Sequence, residues 1–336
     1  MKRVKLTGLI GGFALLLICL MSNSTSYGEE VSKITLGGAS VGGFWSTIGE
    51  AIGAAYRKEY PGASYSYEPG SGLGNIHKVS EGTIPFAIAY SSECTLGLKG
   101  EDPFNKKYPN LRAIFTCIPN SIFHIVSTKA FTENYGITYL SDIAKKKAPI
   151  RMAVNQKGNI NEAVYRTALE AAGMSYEDIE SWGGKIFYQP LTRSQDQIKD
   201  RRCDAMGAGT FVPESRTLDL ALTIPMEMLY LDDHVVDHMV KVWGEKVAVI
   251  PPKTYSFQEK PYRTMYMQTL IICDASLPDE LAYNLAKAVH KHFDVIRSIH
   301  KMMENNIFKE MVNDTSPLRL HPGAEKYYNE VGLLER

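Results

Sequence analysis

The residues with the most chemical potential lie in four short stretches. Gly37-Gly38-Ala39-Ser40-Val41-Gly42-Gly43-Phe44-Trp45 joins a β-prone run, Lys33–Leu36, to an apolar periodic segment that begins at Phe44. A glycine turn that feeds a helix leaves the first N–H groups without intrahelical partners, at the positive end of the helix dipole. That is a setting for an anion. Ser40, Gly42, Gly43 and Phe44 are the candidate donors, with Trp45 as a pocket wall. Pro69-Gly70-Ser71-Gly72-Leu73-Gly74-Asn75 offers Ser71 and Asn75. Tyr90, Ser91 and Ser92 stand at the end of another strand-like run. Asn155, Gln156, Lys157 and Asn159 supply three amides and one ammonium, and an ammonium can pair with a carboxylate. Thr210, at the end of the run 205–209, completes the set.

A competing chemistry uses the same loop. Gly38-Ala39-Ser40-Val41-Gly42 fits G-x-S-x-G between a strand and a helix, and His321 lies downstream in hydrolase order. The motif follows the first strand after the leader, however, before any sheet exists to carry an elbow. A non-enzymatic binding protein is therefore the first reading, and a secreted serine hydrolase using Ser40 the alternative. His234 and His238, beside Asp233 and Asp237, have i, i+4 metal-ligand spacing but no H-E-x-x-H, so no metal and no cofactor is expected.

The elements that must position these loops are legible from periodicity. Ile48, Ala51, Ile52, Ala55 and Tyr56 form one helical stripe, ended by Tyr60-Pro61-Gly62. Residues 63–68 alternate as a strand, a short helix runs from Asn75 to Glu81, and Phe86–Tyr90 is a strand. The order β-loop-α-β-loop-α-β implies a parallel sheet, in which ligands bind beyond the carboxyl ends of the strands. All three early loops fall there. Residues 111–128 read as two strands broken at Pro119-Asn120, a turn or a crossing into a second domain. The pattern then repeats: a strand at 150–154, the polar turn 155–159, a helix from Asn161 to Ala172, and strands at 185–188 and 205–209. Two α/β lobes facing a cleft follow. A strand at 266–273 and a helix from Asp279 past Met303 are expected to pack back on the first lobe. The boundaries read as 29–120 plus 230–336 for the first lobe and 121–229 for the second.

Composition bounds the rest. The 336 residues suffice for two domains, and 37 basic against 37 acidic residues argue against nucleic-acid binding. Residues 1–28 read as a signal peptide: Lys2, Arg3 and Lys5, an apolar run from Leu9 to Met21, and Ser26 and Gly28 at −3 and −1 of the cleavage. Removing them leaves a net charge of −3. Cys94, Cys117, Cys203 and Cys273 have no C-x-x-C spacing. One pair can form a disulfide in an oxidising compartment, or all can be buried thiols.

The chain resembles the extracytoplasmic solute receptors of TRAP transporters, in the TAXI branch. The resemblance rests on GGASVGGFW (37–45), SGLGN (71–75), GMSYEDIE (173–180), RRCDAMGAG (201–209), IPPKTY (250–255) and HPGAEKYYNEVGL (321–333), in order along nearly the whole chain. It departs in the loops: Ala39-Ser40-Val41 interrupts the first, Gly72 takes the place of a serine in the second, and Gln156-Lys157-Gly158-Asn159 replaces a Gly-Ser-Gly-Thr turn. The resemblance implies a type II periplasmic-binding-protein fold, two α/β lobes with a hinge and an interlobe cleft. It implies a periplasmic or extracytoplasmic location and a small anionic organic ligand, a glutamate-like amino acid or a dicarboxylate. It also implies delivery of that ligand to TRAP membrane permease subunits.

Overall fold

The computed structural model describes residues 33–39, 41–119 and 121–335. The expected signal peptide, residues 1–28, and Ser40 lie outside them. Among the described residues no helix is long and apolar enough to cross a membrane.

The first sheet begins with β1 (Ile34–Gly37), β2 (Tyr65–Glu68), β3 (Phe86–Tyr90) and β4 (Leu111–Ile118). The second contains β5 (Ile122–Thr128), β6 (Arg151–Ala153), β7 (Lys185–Phe187), β8 (Ala205–Thr210) and β9 (Met226–Met228). A hairpin, β10 (Val247–Ile250) with β11 (Tyr262–Met265), precedes β12 (Thr269–Asp274), which returns to the first sheet. The sheet orders are β2-β1-β3-β12-β4 and β7-β6-β8-β5-β9. Each places a parallel trio beside one antiparallel strand, contributed by chain that has crossed from the other lobe. The two lobes therefore share one topology. The loops after β1 and after β6 occupy equivalent places, beyond the carboxyl end of the inner parallel strand.

Helix α1 (Phe44–Glu59) buries Ile48, Ala51, Ile52, Ala55 and Tyr56, the stripe its periodicity predicts. It packs on the core of the first sheet, where the Tyr65 hydroxyl donates to the Gly49 carbonyl at 2.5 Å. In the second lobe the helix Ile160–Ala171 buries Val164, Tyr165, Ala168 and Leu169.

Three expectations need correction. Residues 230–267 belong to the second core, not the first. Val235, Val236, Met239 and Trp243 form an apolar stripe on the helix Asp233–Trp243, and burying it against the Ile160–Ala171 helix holds the segment in the second lobe. The chain returns only at Tyr266–Gln268, beside the outward crossing: Met267 N–H donates to Ser121 O at 2.8 Å and Tyr266 bridges to Ile122. Two adjacent connections make the hinge. Second, the long C-terminal helix breaks. Asp279–Lys291 ends at His292, whose φ of −117° and ψ of 34° leave the helix, and His292 instead reaches Glu59 at 3.2 Å. Glu59 also receives Lys287 and Lys291, whose ammonium groups hold its carboxyl below the usual range against the opposing effect of burial. Third, Ser91 and Ser92 open a helix, α3 (Ser91–Lys99), where a loop was expected. Cys94, Cys117, Cys203 and Cys273 are free, buried thiols, and burial raises the pKa of each.

Candidate functional site

After β1 the chain leaves the sheet with Gly38 N–H on Glu68 O at 2.9 Å. Ala39 is pinned by the Tyr67 hydroxyl, which accepts from its N–H at 2.7 Å and donates to its carbonyl at 2.9 Å. Gly42 turns the chain with φ of +84°, a value L side chains rarely adopt. Its N–H goes to Ser46 Oγ at 3.0 Å, so it is spent within the turn. Gly43 then caps α1 without a side-chain hydrogen bond. Among the described residues nothing takes up the N–H groups of Gly43, Phe44 or Trp45. They border the cleft as free donors at a helix N-terminus.

The second loop leads into α2 (Gly72–Ser80), capped by Ser71 Oγ, which accepts from Gly74 N–H at 3.3 Å. Asn75 is buried and works as a staple. Its Nδ2 donates to Gly38 O at 3.1 Å and to Ile88 O at 2.7 Å, tying the first loop to β3. Tyr90 ends β3 with its ring 5.0 Å from that of Trp45. Burial pushes its hydroxyl pKa up to about 12. Ser91 and Ser92 point away from the cleft and are buried. Ser91 Oγ donates to Glu245 Oε1 at 2.6 Å and Gln268 O at 3.1 Å. The reason is Tyr90-Ser91-Ser92-Glu93 itself, a capping-box pattern in which Glu93 Oε2 accepts from Tyr90 N–H at 2.9 Å. That starts α3 at once and turns the serines inward.

The second lobe answers with the loop after β6. Asn155 has φ of +77°, and its Oδ1 accepts from Gln156 N–H at 2.8 Å, so it shapes the turn and does not line the cavity. Asn159 caps the Ile160–Ala171 helix, accepting from Asn161 N–H at 2.9 Å. The N–H groups of Lys157, Gly158 and Ile160 have no partner among the described residues. The Lys157 ammonium lies 4.4 Å from the centre of the Tyr188 ring. Asn161 is the junction: Oδ1 accepts from Gly209 N–H at 2.6 Å, Nδ2 donates to Asn159 Oδ1 at 3.1 Å, and the side chain reaches the Tyr90 hydroxyl of the other lobe.

Between these walls lies a cavity of about 520 Å³. Of the residues singled out in the sequence, Gly43, Phe44, Trp45, Ser71, Tyr90, Gln156, Lys157, Asn159 and Thr210 line it. Gly42, Asn75, Ser91, Ser92 and Asn155 do not. Missed in the wall were Glu93, Ser121 and Phe211, and behind it Asn161, which holds Gly209 and reaches Tyr90. An acid three residues after the end of β3 was a readable signal for the first, since it can take up an N–H at a helix start. Phe211 meets Phe44 edge-on across the cleft, with centroids 4.4 Å apart, and stacks on His300 at 5.3 Å.

His321 is not available to a hydrolase site. His321 is fully buried beside β4, its N–H on Ala113 O at 2.9 Å, and its Nδ1 accepts from Gly323 N–H at 3.2 Å. Gly37 and Ala113 are level in the sheet, with β3 and β12 between β1 and β4. At about 4.8 Å per strand, the chain beside β4 is about 19 Å from β1. Asp233 and Asp237 both pair with Arg263, at 3.3 and 2.7 Å. His234 Nε2 lies 3.2 Å from Ala171 O. Asp233, His234 and Asp237 each have a protein partner.

A model of the NMT1-like family matches residues 36–332, and the chain belongs to that family. Among solved structures it is similar to MatC from Rhodopseudomonas palustris with bound malate, at 11% identity and a TM-score of 0.52, over 90% of this chain and 97% of that one. It is also similar to the periplasmic aliphatic sulphonate binding protein SsuA from Escherichia coli, at 11% identity and a TM-score of 0.44, over 89% and 83%. The fold is the two-lobed α/β fold of periplasmic binding proteins.

Proposed function

We propose that this NMT1-like protein is an extracytoplasmic solute-binding protein of a TRAP-type transporter, in the TAXI branch. It captures a small carboxylate by lobe closure and hands it unchanged to membrane permease subunits. One observation carries the reading. Two helix N-termini, one from each lobe, bring the N–H groups of Gly43, Phe44, Trp45, Lys157, Gly158 and Ile160 to one cavity without partners among the described residues. Six donors, two positive dipole ends and the Lys157 ammonium favour a negative group between them. Ser71, Gln156, Asn159 and Thr210 fix its orientation. A cavity of this size accommodates a metabolite of a few carbons and no polymer. The crossings at Ser121–Ile122 and Tyr266–Met267 allow the lobes to open for entry and release.

The test is a thermal-shift screen of the exported protein against amino acids and mono- and dicarboxylates. At a hundredfold excess over Kd a native-state ligand adds about 2.7 kcal/mol. For a chain of this size that raises Tm by roughly 5 °C. A flat response across the whole panel sinks the proposal.

A further inference from the structure

The wall of the cavity carries two formally charged side chains, Lys157 and Glu93, and they do not neutralise each other. Lys157 sits over Tyr188. Glu93 is only 3% exposed, yet no cation pairs with it among the described residues. Of its two oxygens, Oε2 accepts from Tyr90 N–H, and Oε1 takes no hydrogen bond there. Gly72 makes room for it: a Cβ on that residue would overlap the carboxylate, so the second loop holds a glycine where the acid comes through to the cavity. An acid that served only to start α3 needs neither that opening nor a place in the cavity wall.

We propose that Glu93 is the specificity determinant of the cleft, selecting a ligand that carries an ammonium beside its carboxylate. The inference rests on the binding reading above and narrows it to amine-bearing acids. The carboxylate goes to the helix N-termini and Lys157, and the ammonium to Glu93. A charge-matched wall of this kind complements a zwitterion, whereas a ligand with a second carboxylate meets an ionised acid in a water-poor cavity. Burial raises the Glu93 pKa to about 7. The groups around it are the Tyr90 hydroxyl, the Cys94 thiol, Glu245 behind that thiol, and Lys157 across the cavity. An amine ligand stabilises the ionised form, so its affinity is full above pH 7 and falls below. A deamino ligand requires the protonated form, so its affinity falls above pH 7.

The experiment uses matched pairs that differ by the amine alone: L-glutamate with glutarate, L-aspartate with succinate, L-alanine with propionate. Calorimetry at pH 8 compares wild type with Glu93→Gln, which keeps an acceptor for Tyr90 N–H and so keeps the cap. The tightest amine ligand binds wild type at least tenfold more tightly than its deamino partner, and Glu93→Gln brings that ratio near one. Wild type preferring the deamino member, or a ratio unchanged in the variant, overturns the inference and leaves the binding function standing. No binding by any member overturns both. Should Glu93→Gln not fold, wild type titrated at pH 7 in two buffers of different ionisation enthalpy decides. Proton release with the amine ligand and uptake with its partner support the assignment, and equal proton counts overturn it.

Discussion

Asn75 offers a sharp separation between holding a loop and touching a ligand. Its side chain is 1% exposed and makes two buried hydrogen bonds, to Gly38 O and Ile88 O. Asn75→Ala removes both and strands two carbonyls away from water. A lost hydrogen bond costs about 1 kcal/mol and an unpaired buried group about 1–3 kcal/mol, so the sum is on the order of 3 kcal/mol. At roughly 2 °C per kcal/mol for a chain of this length, Tm drops by about 6 °C. Because the Gly38 end of the first loop loses its tie to β3, affinity for the tightest carboxylate also falls, by roughly tenfold, about 1.4 kcal/mol. Differential scanning calorimetry and titration calorimetry read the two effects. A Tm within 1 °C of wild type together with a large loss of affinity would refute this reasoning and make Asn75 a direct ligand contact.

Phe211→Ala removes the ring contacts to Phe44 and His300 that bridge the lobes, each worth about 0.5–1.5 kcal/mol. Affinity should weaken roughly tenfold with little change in Tm, and calorimetry showing no change would mean that these rings do not favour the closed state. Glu245 is buried against Ser91, and burial lifts its pKa to about 8 while that hydroxyl holds it down. A folded-state pKa above the unfolded value gives stability that is full at low pH and lost as pH rises through 8. Tm should therefore decline from pH 6 to pH 9 and the decline should shrink in Glu245→Gln; parallel slopes contradict the assignment. Gly72→Ala forces the Glu93 carboxylate aside and should lower both Tm and affinity, and an unaffected variant would show that the second loop is slack.

The stripe on α1, the order of the early strands and the polar loops were legible because each depends on local periodicity and turn chemistry. So was most of the cavity wall, since sheets of this topology place their loops on one side. What was not legible depended on tertiary competition. Ser91 and Ser92 look exposed and polar, but both are recruited into α3 and buried, and Ser91 finds partners in Glu245 and Gln268. The stripe on the helix Asp233–Trp243 has helical spacing, but nothing in it says which of two cores it covers. His292 reads as mid-helix until Glu59, 233 positions earlier, draws it away. Asn161 opens the predicted helix, where a buried amide bridging two strands' ends has no signature in one sequence.

Titration calorimetry of wild type and Thr210→Trp with the tightest amine-bearing acid tests the central claim most directly. Thr210 lines the cavity at the end of β8, and an indole there fills space that a ligand needs. The account predicts one site per chain in wild type, with recovery of the unmodified acid afterwards, and no measurable heat of binding in a variant that still unfolds cooperatively. Undiminished binding by folded Thr210→Trp, or an acid recovered chemically altered, would contradict it.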